Sequence, residues 1–479
     1  MKNIKFKTGM LIVMALLFSA TSCKKSFVDL TPQGIVPVQS YYASEVDIKS
    51  ALNGIYSTLR PIYNTQWAFA ELPSDNTQTF GESDSAWGEE DKLTWNSTST
   101  NLQGAWSRAY ATIAYCNLLL GHIGPVSMIQ ANKDSYIAQA EFIRSLMYFN
   151  LVRMFGGVPL ILTEITSESQ AYSYNRATTT AVYAQIEADL TDAASKLPVS
   201  YTGADIGRVT AIAAKALLGK VYLFENKFAQ AEAKLAEIIP SAPTPLISYD
   251  QAFGVGHDNS SEIIFAVQYL TGGFGEGNSF ASGFVPQPAG TSIVGISGGS
   301  FNIGTPDLNN AFEPGDLRKN ISIGVFITGT FTYYYAKKFI YQGVPAGNEG
   351  DNDWPVIRWG DVLLMYAEAA NENGNTFNAL TQLNIVRSRA GLGSKLGLNQ
   401  AVARTAIQAE RRVELGFEGE RWFDLIRWNQ YVQVMQSYKN NNVPPTGAFG
   451  NILSTLNLYP IPSREISLNP NLTQNPGYN

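Results

Sequence analysis

Three amphipathic segments in series between Trp354 and Trp428 restrict what this chain can fold into more than any other feature. Arg358-Trp359-Gly360-Asp361 opens the first. Asp361 follows a glycine and precedes a run of strong helix formers, the place of an N-cap, and Leu364, Ala367, Glu368 and Asn371 follow at helical spacing. A turn at Asn373-Gly374-Asn375 closes that helix. The second carries Leu380, Leu383, Val386 and Arg389 up to Gly391, and the third, Gln400 to Leu415, sets Ile407, Glu410, Arg411 and Glu414 on one side. A helix hairpin cannot bury its apolar stripe alone, so the stretch requires neighbours of the same shape.

The first half of the chain supplies them. Helical periodicity predicts helices over 44–58, 106–123, 133–155, 178–197, 210–225 and 228–239. Leu218-Gly219, Tyr222, Asn226-Lys227-Phe228 and the run from Ala231 to Pro240 have the grammar of a tetratricopeptide-type helix pair: small residues at the contact, an aromatic at the turn, a closing proline. Asn375-Thr376-Phe377 and Leu380 repeat that turn, although no strict period of about 34 residues runs through the chain. The expected class is therefore mainly α, tetratricopeptide-like helix pairs forming an α-α superhelix. Residues 241–352 interrupt it as a Gly-, Ser- and Asn-rich insertion with short strands at 262–269 and 331–341, and residues 61–104 read as loop-rich. Parts 23–240 and 241–479 are expected to form one compact unit.

Residues 1–22 read as an export signal. Lys2, Lys5 and Lys7 precede an apolar run from Met10 to Phe18 that is too short to span a bilayer, and small residues then lead into Cys23. A cysteine in that place reads as a lipoprotein cleavage site, which makes Cys23 the lipidated N-terminus; simple secretion with an incidental Cys23 is the alternative. Cys116 is the second of two cysteines. Between Tyr115 and Asn117 on a helix, it reads as a small core residue, and stability falls to a large core rather than to disulfides.

Charged residues make up 15% of the chain and the net charge is −6, well under the roughly 25% charged content of ordinary soluble domains. No basic face is available for nucleic acid. Two histidines, His122 and His257, exclude a multi-histidine metal site, and no cofactor motif is present. Gly295-Ile296-Ser297-Gly298-Gly299 has nucleophile-elbow spacing, yet no histidine follows residue 257 to complete a triad. Glu414, Glu418, Glu420 and Asp424 suggest a glycosidase pair on paper. Arg411, Arg412, Arg421 and Arg427 interleave with them and predict ion pairs that lower carboxylate pKa values, the opposite of what a general acid needs. No catalytic residue is assigned.

Aromatic side chains remain. Trp67 and Trp87 lie in polar sequence with Asp75, Asn76, Glu82 and Asp84. An exposed indole beside carboxylate and amide groups suits a sugar, the ring covering the apolar face of a pyranose and the polar groups taking its hydroxyls. The competing reading has these tryptophans pin the loop to the core. Trp106, Trp359, Trp422 and Trp428 read as core, and Tyr333-Tyr334-Tyr335 as a strand rather than a binding platform.

Trp106, Tyr110 and Asn117, then Ala140-Glu141-Phe142-Ile143-Arg144, Phe155-Gly156-Gly157-Val158-Pro159 and Arg208-Val209-Thr210 resemble the N-terminal half of the SusD/RagB family. Arg358-Trp359-Gly360-Asp361, Glu410-Arg411-Arg412, Phe417-Glu418-Gly419, Arg421-Trp422-Phe423-Asp424-Leu425 and Tyr459-Pro460-Ile461-Pro462 resemble its C-terminal half. The resemblance implies a lipid-anchored outer-membrane protein facing the exterior, built on tetratricopeptide-like helix pairs. It further implies a lid over a SusC-like TonB-dependent transporter, presenting that partner with oligosaccharides or, in some members, peptides. A surface glycoside hydrolase is the enzyme alternative. Trp67, Asp75, Asn76 and Trp87 are the ligand contacts expected from position and chemistry, with the 268–348 insertion as the opposite wall; no cofactor or metal is expected.

Overall fold

The computed structural model describes residues 41–81, 84–345, 349–442 and 448–478. The expected signal segment and Cys23 lie outside them. Helix predominates, at 54% against 7% strand, and the mainly α class holds. The helices that build the frame are α1 (Glu45–Ser57), α2 (Leu59–Gln66), α3 (Ala68–Glu71), α4 (Asp84–Asp91), α5 (Thr100–His122), α6 (Gln130–Phe155), α7 (Thr179–Lys196), α8 (Ala211–Phe224), α9 (Phe228–Ala236), α10 (Trp359–Glu372), α11 (Thr376–Arg389), α12 (Gln400–Glu414) and α13 (Arg421–Arg427).

Local chemistry sets their ends. Ser44 and Asp47 form a capping box on α1, the Asp47 N–H donating to Ser44 Oγ and the Ser44 N–H to the Asp47 carboxylate at 2.8 Å. Thr178, Thr210 and Asn399 cap α7, α8 and α12 through their side-chain oxygens. Gly156 ends α6 at φ +72°, a conformation that favours glycine.

Successive helices pack on one another: α5 on α6, α6 on α7, α7 on α8 and α8 on α9. The series then jumps the insertion, because α9 packs directly on α10, which also receives α11 and α12. Most of α6 is buried, since α1, α5 and α7 all lie against it. Trp106, Trp359 and Trp422 join this core, Cys116 among them, whereas Trp428 is half-buried with its Nε1 donating to Glu368 at 2.9 Å.

Two expectations are corrected. Asp361 is not the N-cap of α10: Arg358, extended at φ −138°, holds that position, and Asp361 sits in the first turn. Its carboxylate accepts from Arg411 at 2.7 Å and Lys220 at 3.2 Å, partners from α12 and α8 that the local sequence does not reveal. The stretch 61–104, expected to be loop-rich, holds α2, α3 and α4. Leu59, Ile62, Tyr63 and Gln66 are buried at helical spacing, and Pro61 in the first turn of α2 forfeits no intrahelical bond.

The insertion contributes strands to two small sheets. β1 (Thr77–Gln78), β3 (Ile303–Gly304), β4 (Ile323–Thr328) and β5 (Phe331–Ala336) form an antiparallel sheet of order β1-β3-β5-β4, and β2 (Ile263–Val267) pairs with β6 (Trp354–Arg358). Register partners Thr77↔Gly304 and Gln78↔Ile303 thus join the N-terminal segment to the insertion. Gly304 lies over the ring of Phe417, where a Cβ would come within 2.9 Å of Cζ.

A tight contact between two helices gives a test. A Cβ at Gly219 on α8 would fall 2.5 Å from Leu235 Cγ on α9. Gly219→Val is expected to destabilise by about 1–3 kcal/mol through overpacking, and pairing it with Leu235→Ala should recover part of the loss in a double-mutant cycle measured by chemical denaturation.

Candidate functional site

The four residues expected to contact ligand form two pairs, with Trp67, Asp75 and Asn76 buried and Trp87 half-buried. Trp67, between α2 and α3, is only 2% exposed. Its ring meets Phe284 edge-on at 4.9 Å and Trp87 at 5.8 Å, and its Nε1 donates to the Asn64 carbonyl at 3.0 Å. Trp87, on α4, is half-buried and also touches Phe69. The indole at Trp67 therefore follows the competing reading, in which the tryptophan pins this segment to the core, rather than that of an exposed ring.

Asp75 and Asn76 are buried as well, and their polar atoms are engaged. Arg421 reaches the Asp75 carboxylate at 2.8 and 3.1 Å, and Arg412 at 2.9 Å. Burial opposes the charge, but the two guanidiniums outweigh it and hold the Asp75 carboxyl below its ordinary range. Arg412 Nε donates to Asn76 Oδ1 at 2.8 Å. Across the chain, the Thr305 hydroxyl donates to the Asp75 carbonyl at 2.7 Å and the Thr305 N–H to that of Asn76 at 2.8 Å. These residues clamp the loop before β1 to α12, α13 and the insertion. Of their expected neighbours, Glu82 lies outside the described residues.

What the clamp presents is an aromatic face of which the sequence offered Tyr333 alone, as part of a strand rather than a binding platform. Phe326 and Tyr333 are register partners across β4 and β5, so their rings share one face, with centroids 6.3 Å apart. Phe80, just past β1, brings a third ring to within 4.9 Å of Tyr333. Its N–H donates to the Ser300 carbonyl at 3.3 Å, which pins it to the insertion. All three are half-buried, and Phe331, on the same side of β5, is exposed. Residues 331–335 form the expected strand, but Tyr333 also serves this face. Alternation along Phe331, Tyr333 and Tyr335 was the available signal; the contribution of Phe80 was not visible without the pairing of β1 and β3.

The carboxylates weighed as a glycosidase pair are locked in a buried ion network: Asp424 pairs with the interleaved Arg411 and Arg427 as expected, whereas Glu414 and Glu418 take partners from elsewhere in the chain. Glu414 is met by Arg318 at 2.8 Å, Arg358 at 2.5 Å and Arg389, and Glu418 by Arg358 at 2.7 Å and Lys338 at 2.5 Å. Burial works against the Glu414 charge, yet its three arginines keep the carboxyl well below the usual range. Arg411 turns instead to Asp361 and Asp424, and Arg427 to Glu368 and Asp424.

Glu71, at the end of α3, behaves in the opposite way. Burial pushes its carboxyl up to about 8, although the Gly419 N–H donates to it at 2.8 Å. The native state therefore holds a proton on Glu71 that the unfolded chain releases near pH 4.5. Stability from this group is present below that pH and falls as pH rises toward 8. Glu71→Gln should remove this slope. Thermal melts from pH 5 to 8 are expected to show wild type losing, relative to the variant, up to about 1.4 kcal/mol per pH unit.

Comparison with known proteins agrees with this geometry. The family described as "SusD family" matches residues 324–478, and the one described as "Starch-binding associating with outer membrane" matches residues 27–223. A SusD-like protein of Bacteroides ovatus is 29% identical, over 91% of this chain and 85% of its own. The starch-binding protein SusD of Bacteroides thetaiotaomicron is 31% identical over 27% of this chain and 22% of its own. A solved laminarin binding SusD-like protein superposes with a TM-score of 0.79 at 30% identity, covering 91% of this chain and all of that one. With both halves matched in order and the fold shared along the length of a solved relative, the chain belongs to the SusD/RagB family.

Proposed function

We propose that this protein captures oligosaccharides at the surface of the outer membrane and passes them to a TonB-dependent transporter that it covers as a lid. Cys23 carries the lipid anchor, and the protein holds its cargo without turning it over. The observation that carries the reading is the Phe80–Tyr333–Phe326 face. Half-buried rings fixed by a sheet offer flat apolar area at little entropic cost, which is what the C–H face of a pyranose needs. Trp87 is kept as a ligand contact of the proposed site, while Asp75 and Asn76 hold the loop that leads into β1 and Phe80.

Relatives favour a glycan over other cargo: one solved relative is named for laminarin binding, and a sequence relative matched over 27% of this chain for starch binding. The membrane attachment rests on the sequence before Tyr41 and on the family description, since no helix among the described residues is long and apolar enough to cross a bilayer. As for catalysis, Glu414 is fully buried and charge-matched, which suits a strut better than a proton donor.

Calorimetry with laminarihexaose and maltohexaose tests the reading. At least one should bind, and Phe80→Ala/Tyr333→Ala should weaken that affinity at least tenfold, about 1.4 kcal/mol, without lowering the melting temperature by more than a few degrees. The hexasaccharide should be recovered at full length after prolonged incubation. Unchanged affinity in the double variant would remove the aromatic face from the site, and shortened products would make the protein an enzyme.

A further inference from the structure

Two clefts meet at the segment Ile206–Arg208, which links α7 to α8. One, of about 210 Å³, has Asn53 and Arg60, from α1 and α2, and Gln268 in its wall. The other, of about 270 Å³, shares Ile206, Gly207 and Arg208 and extends to Tyr201 and Asn259. Strand β2 contributes to both. Among the described residues its only strand partner is β6, and no backbone hydrogen bond joins β2 to Ile206–Arg208. None of the aromatic-face residues lines either cleft.

The chemistry of the walls selects a class of ligand. Both guanidiniums are already matched: Arg60 by Glu276 at 2.9 Å and Arg208 by Asp205 at 2.7 Å. The clefts thus lack the unmatched positive charge that would recognise a phosphate or a uronate. Arg60 Nη2, Asn53 Nδ2 and Gln268 Oε1 have no hydrogen-bond partner among the described residues, so donors and an acceptor stand side by side. Ile206, 51% exposed, offers one apolar contact at the junction. Gly207 lies at φ +91°, and a Cβ there would fall 1.9 Å from Gln268 Nε2, so a side chain at 207 would collide with the wall of the first cleft.

We infer that these clefts form a second, polar binding site for a neutral oligosaccharide, separate from the aromatic face; this rests on the glycan-binding function proposed above. Mixed amide, guanidinium and backbone groups around one aliphatic contact suit the alternating hydroxyls of an uncharged sugar chain. Such a site would hold the chain at a second point along its length and raise the effective concentration at the first.

The test combines calorimetry with hydrogen exchange, using laminarihexaose and maltohexaose on the full mature chain. The side chains of Asn53 and Gln268 are accessible, so Asn53→Ala/Gln268→Ala is expected to fold as wild type. Wild type should show two classes of binding, the cleft variant retaining only the aromatic-face class and Phe80→Ala/Tyr333→Ala only the other. Protection of residues 199–210 and 263–268 on adding sugar should persist in the aromatic variant and drop at least tenfold in the cleft variant. A single class lost in Phe80→Ala/Tyr333→Ala, with no protection at 199–210, overturns the cleft and leaves the aromatic site standing. Protection at 199–210 with full affinity in the aromatic variant supports the cleft and overturns the aromatic site. No binding of either sugar to wild type overturns both.

Discussion

Arg358 has no access to water, and a guanidinium in that condition must find its counter-charge within the protein. An ion removed from water without a partner costs several kcal/mol, so an unpaired arrangement is strongly disfavoured. Arg358 sits where β6 turns into α10, and it bonds at once to Glu262 before β2, Glu414 at the end of α12 and Glu418 just beyond. Arg318 and Lys338 from the insertion and Arg389 from α11 complete the neutralisation. The insertion is thereby fixed against the helical frame by charge matching as much as by apolar packing.

That attachment decides what can stand on it. Strands β3, β5 and β4 belong to the insertion, while β1 belongs to the segment between α3 and α4. They meet because Thr305 accepts no freedom: it is held by the Asp75 and Asn76 carbonyls, and that loop is held in turn by Arg412 and Arg421. Phe80 reaches Tyr333 only at the end of this chain of bonds. A surface assembled from segments so distant in sequence is rigid where it is supported, which suits a site that recognises by shape and stacking.

Several elements were legible from local pattern alone. Ser44, Thr178, Thr210 and Asn399 stand where helix starts were expected, and Gly156 where α6 was expected to stop. The core roles of Cys116, Trp106, Trp359 and Trp422 also followed from helical spacing. Asp361 shows where such reading fails. A carboxylate before a helical run has the same sequence signature whether it caps the backbone or pairs with Lys220 and Arg411, and the ion pairs took it. Trp67 shows where such reading leaves a choice open: polar neighbours allowed an exposed ring or a core pin, and the structure takes the pin, because Asp75 and Asn76 are polar to answer arginines, Arg412 lying 336 residues away from Asn76.

By itself the sequence determined the helical frame and the family, because periodicity, caps and short motifs act over one or two turns and are written contiguously. Only the tertiary structure decided which charges would be buried together, which tryptophans would be covered, and which rings would be gathered half-buried on one face. Those outcomes depend on the desolvation of groups brought together from far along the chain, and the energy of a buried charge is set by whatever neighbour folding supplies, not by the residues beside it.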